Sequence, residues 1–407
     1  MPNTTASLKT WSILILFVLI LMAIESVMVY QIYATRFPGT ADFFARWYGA
    51  RELVLRGRNP YDRKIEMEAQ EAMFGRQTRP DEDQVNFAYP LYTIFLFWPL
   101  TLTSYAWAQA IWMVVLQFAL IGQSLLLFGL TRWRPPPWLF VITIFWSLFF
   151  YSGARAIFLG QFSVLVALSV VTAAWGLLND KDKLAGAILP LATVKPQMAF
   201  LVIPFFLLWA LGLKRWSFLI AFVVSAGILF LGSLFWVPDW PLRFLGNLSS
   251  YSDYVGFGSP LENMTARFAP GIDHLLNLLL TVMLLVLLLW QWWLALTKGP
   301  ETFLWGLTWT LLVGNLIAFR SATANHVILY LPLFLLFKRL TPANWKIALV
   351  QVISTVALWV IFLTTIDQSR GHNFEAIFMH GLLPSLLIIY FLLDWRALKA
   401  TTPKMKV

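Results

Sequence analysis

Long apolar runs, separated by short polar turns, recur along nearly the whole chain. A helix that crosses about 30 Å of hydrocarbon needs about 20 apolar residues, and fewer where it ends against other protein. The pattern predicts an all-α polytopic membrane protein with about 12 transmembrane helices in a single domain, residues 1–407. The predicted spans are residues 11–34, 104–130, 138–152, 160–178, 184–194, 196–213, 216–237, 272–297, 302–319, 325–337, 345–366 and 375–394. Several are short, which favours a bundle whose helix ends are buried in protein.

Two segments between these runs are long enough to have structure of their own. The first is the loop 35–103, in which Ala41–Leu55 and Asp62–Phe74 have helical spacing with aromatic residues on one side. We expect these stretches to form short helices that lie in the membrane interface. The second, residues 238–271, is rich in Pro, Gly, Tyr and Phe with little periodicity. That composition predicts a covering loop.

The apolar stretch Tyr89–Thr101 decides the topology, because a span there would reverse the side of every later loop. If Tyr89–Thr101 lies on the membrane surface, the N-terminal side carries fifteen Lys and Arg residues in its short loops and tails, against four acids. The opposite side, outside the first long loop, has six isolated cations and six acids. Cytoplasmic loops are enriched in Lys and Arg. We therefore expect a multi-pass protein of the plasma membrane, with both termini cytosolic and both long loops external.

The composition excludes several classes of protein. Only 12% of the residues are charged, and a water-soluble globule of 407 residues could not bury 34 Phe and 21 Trp. The lack of Cys excludes a thiolate metal site, and the four His residues have no HExxH spacing. The net charge of +10 lies on the predicted cytosolic face. It therefore indicates contact with anionic membrane lipids and not with nucleic acid.

The remaining choice is between an enzyme at the membrane surface and a transporter. The cytosolic loops are short and contain no phosphate-binding glycine motif, so an activated substrate has to reach the external face already attached to a lipid. Transporters place ionisable residues in the middle of their spans, whereas here only Glu25 does so. Polar residues gather at external helix ends, which favours an enzyme. A transporter or flippase of a lipid-linked sugar is the alternative.

An ordered set of short motifs carries a family resemblance. The first long loop reads ADFFARWYGAR at 41–51, GRNPYD at 57–62 and FAYPL at 87–91. Further motifs are Gly160-Gln161, Lys195-Pro196, and His326 after Arg320. From about residue 40 to 335 this order resembles the polyprenyl-phosphate-mannose-dependent mannosyltransferase-like family, glycosyltransferase family 87, in the GT-C superfamily. The sequence departs from the family pattern at Leu91, where a second Pro is usual, and at Ser163, where Asn is frequent.

The resemblance implies a GT-C fold, with the catalytic site at the external membrane face under interfacial helices of the first loop. It also implies a hexosyltransferase that moves a sugar, with mannose favoured, from a polyprenyl-phosphate-linked donor to a lipid or glycan acceptor, with inversion. A relative that uses another donor sugar, such as glucose or a pentose, and a lipid-linked glycan ligase are alternatives within this class.

Inverting transfer needs a base for the acceptor hydroxyl and cations for the departing phosphate. Asp42, eight residues beyond the first span, is the predicted base; the alternative is a cap of the following helix. The predicted phosphate-binding residues are Lys195, Arg155, Arg320 and His326. Lys195 is expected to be recessed, because Pro196 fixes the chain between two short spans. The alternative for the cations is snorkelling to headgroups, and for the His a structural role at a helix start.

Gln161 and Tyr89 are the predicted sugar-binding residues. Gln161 would bond a sugar hydroxyl, unless it serves helix–helix packing. Tyr89 would stack on the sugar, although most aromatic residues of this loop are expected to form an interfacial belt. No metal or other cofactor is expected. The acidic patterns at 81–83 and 180–182 resemble a metal-binding DxD motif, but the first is typical of a solvated loop and the second lies on a cytosolic loop too short for a site.

Overall fold

The structure is a computed structural model that describes residues 8–37, 42–79, 82, 84–254, 258–299, 302–319, 321–369 and 381–393. These residues form helices joined by turns and irregular loops, with no β-strand among them. In chain order the α-helices are α1 (Leu8–Val29), α2 (Phe43–Arg56), α3 (Arg63–Phe74), α4 (Tyr105–Thr131), α5 (Pro137–Phe149), α6 (Tyr151–Phe158), α7 (Ser163–Leu178), α8 (Asp182–Ile188), α9 (Pro196–Ala199), α10 (Val202–Gly212), α11 (Trp216–Trp236), α12 (Trp240–Tyr254), α13 (Pro260–Phe268), α14 (Asp273–Thr297), α15 (Phe303–Ile317), α16 (Tyr330–Leu340), α17 (Asn344–Ser369) and α18 (Leu382–Leu393). Every predicted apolar run overlaps at least one of these helices.

The described helices differ widely in their capacity to cross a membrane. Five are long and apolar enough by themselves: Thr10–Ala34, Tyr105–Thr131, Trp216–Trp236, Asp273–Thr297 and Asn344–Thr364. A sixth span would consist of α5 and α6 together, which are bent by 50° relative to each other. Four shorter apolar helices, such as Phe303–Ile317, fall below 30 Å at 1.5 Å per residue. The protein is therefore a polytopic all-α membrane protein. The described helices give at most ten crossings by length and composition. A count of twelve also needs the predicted spans 184–194 and 325–337, whose helices α8 and α16 have 7 and 11 residues.

The chain forms two compact units, of which the first contains residues 1–118, 157–160 and 239–254. It includes α1, α2, α3, the first half of α4, and α12. The two helices predicted in the first loop are confirmed to within two residues, and each ends at a glycine in the left-handed conformation, Gly57 and Gly75. Buried Glu52 on α2 accepts hydrogen bonds from Arg58, which also pairs with Glu68 on α3. These ion pairs hold the two helices together.

Within the first unit, the stretch Tyr89–Thr101 is not one helix. It forms two 3₁₀ segments, Leu91–Leu96 and Trp98–Leu102, which are separated by an irregular residue at Phe97. At about 2 Å per residue neither segment can span a bilayer. Helix α2 packs against the second segment, where Trp47 Nε1 donates to the Leu100 carbonyl at 3.0 Å.

The second unit contains residues 119–156, 161–238 and 255–407, as far as they are described. Its core is formed by helices that approach closely through small residues. A Cβ atom on Gly186 of α8 would lie 2.2 Å from the Phe218 carbonyl oxygen of α11. A Cβ atom on Gly306 of α15 would likewise lie 2.7 Å from Cζ of Phe205 on α10. These glycines let short helices pack tightly.

The second long loop, predicted as an irregular cover over residues 238–271, is instead largely helical. It contains α12 in the first unit and α13 in the second. Helix α13 begins with a capping box: the Ser259 hydroxyl accepts from the Glu262 N–H at 3.1 Å, while the Glu262 carboxylate accepts from the Ser259 N–H at 3.2 Å. Pro260 occupies the first helical position, where its missing N–H costs nothing.

Candidate functional site

Asp42 immediately precedes α2 in the first unit and is half-buried. Its backbone is already helical, and its side chain makes no capping hydrogen bond to α2. The capping role, which was the alternative for this residue, is therefore not what the structure shows. The Asp42 carbonyl oxygen accepts a hydrogen bond from Arg46 Nη1 at 2.6 Å. Asp42 is thus fixed to the first turn of α2 through its main chain.

Arg46 links Asp42 to Tyr89, the predicted sugar-stacking residue. Its guanidinium carbon lies 4.7 Å from the centre of the Tyr89 ring, a cation–π distance. The Tyr89 carbonyl accepts from the Tyr61 hydroxyl at 2.6 Å, and burial raises the pKa of Tyr61 well above its usual range. Sequence reasoning missed Arg46, although its position four residues after Asp42 places both on one helix face.

The aromatic residues of the first loop do not form the expected interfacial belt. Trp47, Tyr61, Tyr89 and Tyr92 are all buried in the first unit, with at most 9% of each side chain exposed. Trp47 and Tyr61 use their polar atoms for the hydrogen bonds described above, so the ring bodies can pack internally. The prediction was wrong for these four residues, because composition alone does not distinguish a buried aromatic cluster from a lipid-facing one.

Gly160 lies in a turn that contacts the N-terminus of α2. The Phe43 N–H donates to the Leu159 carbonyl at 3.2 Å, and Trp112 Nε1 donates to the Gly160 carbonyl at 2.9 Å. Gly160 itself has a positive φ of 64°, and a Cβ atom there would lie 2.6 Å from the Cβ of Phe43. Glycine is therefore required for both the backbone conformation and the contact with the helix that follows Asp42.

We expect Gly160→Ala to destabilise the protein more than Gly57→Ala, which provides a matched control. Both glycines have a φ near +65°, but nothing lies within 4 Å of a Cβ on Gly57. Backbone strain costs about 1–2 kcal/mol at either site, and overpacking against Phe43 adds about 1–3 kcal/mol at Gly160. Thermal unfolding in detergent measures the difference. Equal losses for the two variants would show that Phe43 moves aside at no cost.

Lys195 lies in the second unit. Its position is recessed, as predicted. It follows the 3₁₀ segment Leu189–Val194, precedes Pro196 at the start of α9, and is 5% exposed. Its Nζ donates to Gln161 Oε1 at 2.6 Å and to Asn325 Oδ1 at 2.8 Å. Both acceptors are neutral amide oxygens, so these two bonds orient the ammonium group without neutralising its charge.

Asn325 is the residue of this cluster that sequence reasoning missed. It belongs to the 3₁₀ segment Thr323–Leu329 with His326, and both side chains are buried. Asn325 Nδ2 also donates to Ser321 Oγ at 3.4 Å, which extends the polar chain from Lys195 to a buried hydroxyl. Its position directly before His326, in a motif already singled out, was the available signal.

A narrow cleft, with free space for about one water molecule, lies next to this polar chain. Most of its lining is apolar and comes from α9, α10 and α15, including Leu201, Leu311 and Gly314. Ser321 and Asn315 are among its polar lining residues, and Asn315 Oδ1 is buried without a hydrogen bond from the described residues. The cleft therefore combines an apolar wall with polar groups that connect, through Ser321 and Asn325, to Lys195.

Arg155 and Arg320 are the two other cations predicted to bind the phosphate. Arg155 lies in the last turn of α6 and is half-buried, with its guanidinium carbon 5.1 Å from the centre of the Phe362 ring on α17. Arg320 lies outside the described residues. The structure thus brings Lys195 and Gln161 together in the second unit, while Asp42 and Tyr89 belong to the first.

The described acids of the two DxD-like patterns form ion pairs. Glu82 accepts from Arg76 and from the Arg79 N–H, which together lower the pKa of its carboxyl to about 2; Asp81 and Asp83 lie outside the described residues. Asp180 and Asp182 both pair with Arg215, at 2.7 and 3.0 Å. In the part of the chain that the structure describes, no three His, Asp or Glu side chains are grouped so that they could hold a metal ion.

Comparison with known proteins identifies the family of the chain. The family model described as Glycosyltransferase family 87 matches residues 87–319, more than half of the sequence. The chain belongs to glycosyltransferase family 87. No curated protein and no solved structure matches it significantly. The family 87 match includes Tyr89, Arg155, Gln161 and Lys195, and it begins after Asp42. The protein is thus a membrane glycosyltransferase of this family.

Proposed function

We propose that this family 87 protein transfers a hexose, with mannose favoured, from a polyprenyl-phosphate-linked donor to a lipid or glycan acceptor, with inversion at the anomeric carbon. The observation that carries the proposal is the buried Lys195, held by the amide oxygens of Gln161 and Asn325. A recessed, oriented ammonium group beside a mostly apolar cleft suits a phosphate that carries a lipid chain.

In this reaction Asp42 accepts the proton of the acceptor hydroxyl as the oxygen attacks the anomeric carbon. The bond from that carbon to the donor phosphate breaks, and the phosphate leaves with its electron pair. Lys195 stabilises the developing negative charge, with Arg155, Arg320 and His326 proposed as further phosphate-binding residues. Gln161 and Tyr89 are proposed to contact the sugar. No metal or other cofactor takes part.

The same proposal includes a GT-C fold with twelve crossings in one domain, residues 1–407. Both termini would be cytosolic and the site would face the exterior of the plasma membrane, because fifteen Lys and Arg residues then lie inside. The two 3₁₀ segments within Tyr89–Thr101 support this topology, since neither is long enough to reverse it.

The purified protein in detergent tests this function when it is given labelled polyprenyl-phosphate-mannose and a membrane lipid extract. We expect label to move into a new lipid or glycan product, with little transfer from the matching glucose or arabinose donors. Transfer from glucose or arabinose alone would replace the sugar and retain the enzyme class. If no donor yields product while proteoliposomes move a lipid-linked sugar between leaflets, the transporter alternative is correct.

A further inference from the structure

Two connections between helices of the second unit, residues 131–138 and 338–346, are basic. The first joins α4 to α5 and contains Arg132 and Arg134; the second joins α16 to α17 and contains Lys338, Arg339 and Lys346. Both lie on the side that the charge distribution assigns to the cytosol. None of these cations has a part in the proposed transfer reaction.

A specific contact brings the two segments together. Trp133 Nε1 donates to Thr341 Oγ1 at 3.1 Å, and the Trp133 ring packs against Phe334 and Phe337 of α16 with centroid distances of 5.7 Å. Arg132, which directly follows α4, therefore lies next to the last turn of α16, where Lys338 and Arg339 are. Burial, followed by the charges of Arg132 and Arg339, lowers the pKa of Lys338.

The sequence around both segments contains no acidic residue. The chain has no Asp or Glu between residues 84 and 179 or between 302 and 366. Within the described chain, Arg132 and Arg339 form no ion pair, and the partly buried Arg339 has a buried Nη2 atom without a hydrogen bond. Arg132 and Arg339, which the fold holds beside Lys338, therefore present charge to an external anion.

Exposed tryptophans on both sides of the cluster indicate which anion. Trp138, at the start of α5, is 47% exposed, and Trp345, at the start of α17, is 63% exposed with Lys346 Nζ 5.6 Å from the centre of its ring. Tryptophan is enriched at the level of the lipid headgroups. The cluster thus lies where a phospholipid places its phosphate, with apolar helix surface beside it for the acyl chains.

We propose that Arg132, Lys338 and Arg339 form a binding site for the headgroup phosphate of one anionic phospholipid on the cytosolic face. The site is independent of the transferase reaction. Each cation near an anionic lipid contributes about a fivefold change in affinity. Replacing both arginines in Arg132→Gln/Arg339→Gln is therefore expected to weaken binding by about 25-fold.

The test compares retention of phosphatidylglycerol by the purified full-length protein in neutral detergent, measured by native mass spectrometry during titration. The wild type should retain one phosphatidylglycerol in preference to phosphatidylcholine, and the double variant should lose that preference. Lys183→Gln, an exposed cation on the same predicted side, is the matched control and should keep it. Unfolding temperatures in phosphatidylcholine show whether the double variant is folded.

Two results would overturn the proposal. The first is a double variant that is folded and still retains phosphatidylglycerol as the wild type does. The second is displacement of the lipid by millimolar inorganic phosphate, which would mean that the cluster binds a free anion and not a lipid headgroup. If the double variant does not fold, the single variant Arg339→Gln replaces it, with an expected weakening of about fivefold.

Discussion

Asp42→Asn is expected to lower the rate of sugar transfer by about 10²–10⁴-fold, the usual contribution of a general base. The amide has nearly the shape of the carboxylate but cannot accept the proton of the attacking hydroxyl. The cap of α2 should be unaffected, because the Asp42 side chain makes no capping bond and Arg46 contacts the main-chain carbonyl. Initial rates with labelled donor, together with the unfolding temperature, measure both effects.

Asp62→Asn is the matched control for this experiment. Asp62 precedes α3 as Asp42 precedes α2, it belongs to the same unit, and its side chain likewise makes no capping bond. Its carboxylate pairs at the surface with Arg243 at 2.7 Å, an exposed interaction of small value. We expect near-normal transfer in Asp62→Asn. Equal activity of the two variants would remove Asp42 from the mechanism.

Lys195→Met is expected to reduce kcat/KM by about 10²–10³-fold, the loss that follows removal of one group that stabilises transition-state charge. Methionine keeps most of the length of the side chain without the ammonium group. Stability should also fall, by about 1–3 kcal/mol, because Gln161 Oε1 and Asn325 Oδ1 lose their donor in a buried site. Kinetics at a temperature well below unfolding separates the two losses.

Two comparisons make the Lys195 result specific. Lys214→Met removes an exposed cation of the same kind and should not alter kcat/KM. Asn325→Leu keeps the ammonium group but removes one of the bonds that orient it, so its loss of activity should be smaller than that of Lys195→Met. If Lys195→Met is less stable and yet fully active, the lysine has a structural role only.

The periodicity of apolar residues predicted the elements more reliably than their roles. Helices α2 and α3 were found at the expected positions, because amphipathic spacing is a local property of the sequence. Residues 238–271 were misjudged, since Pro and Gly outweighed a capping box in which Ser259 and Glu262 have the standard spacing. Span counting from hydropathy also treated short helices and long ones alike.

The candidate site could be predicted in part only. A lysine between two short apolar runs indicated a recessed cation, and the structure confirms its burial. Its partners were beyond reach, because Gln161 and Asn325 are 34 and 130 residues away in the chain. Hydropathy gives the direction and length of each helix but not which helix ends meet. Arg46 and Asn325 became visible only as neighbours of residues that motifs had marked.

Within the described chain the first helix makes few protein contacts: only 6% of its most apolar window is buried, although Glu25 bonds to Gln117 and Tyr30 stacks on Trp107 at 3.9 Å. Most of its side chains are therefore open to lipid, which favours hydrophobicity and length but does not select a particular side-chain shape. Selection on residues 11–24 should accordingly act on average character, so that Leu, Ile, Val and Phe interchange freely there. The residue type should be constrained only from Glu25 onward, where the side chains of the helix bond to and stack on other residues of the protein.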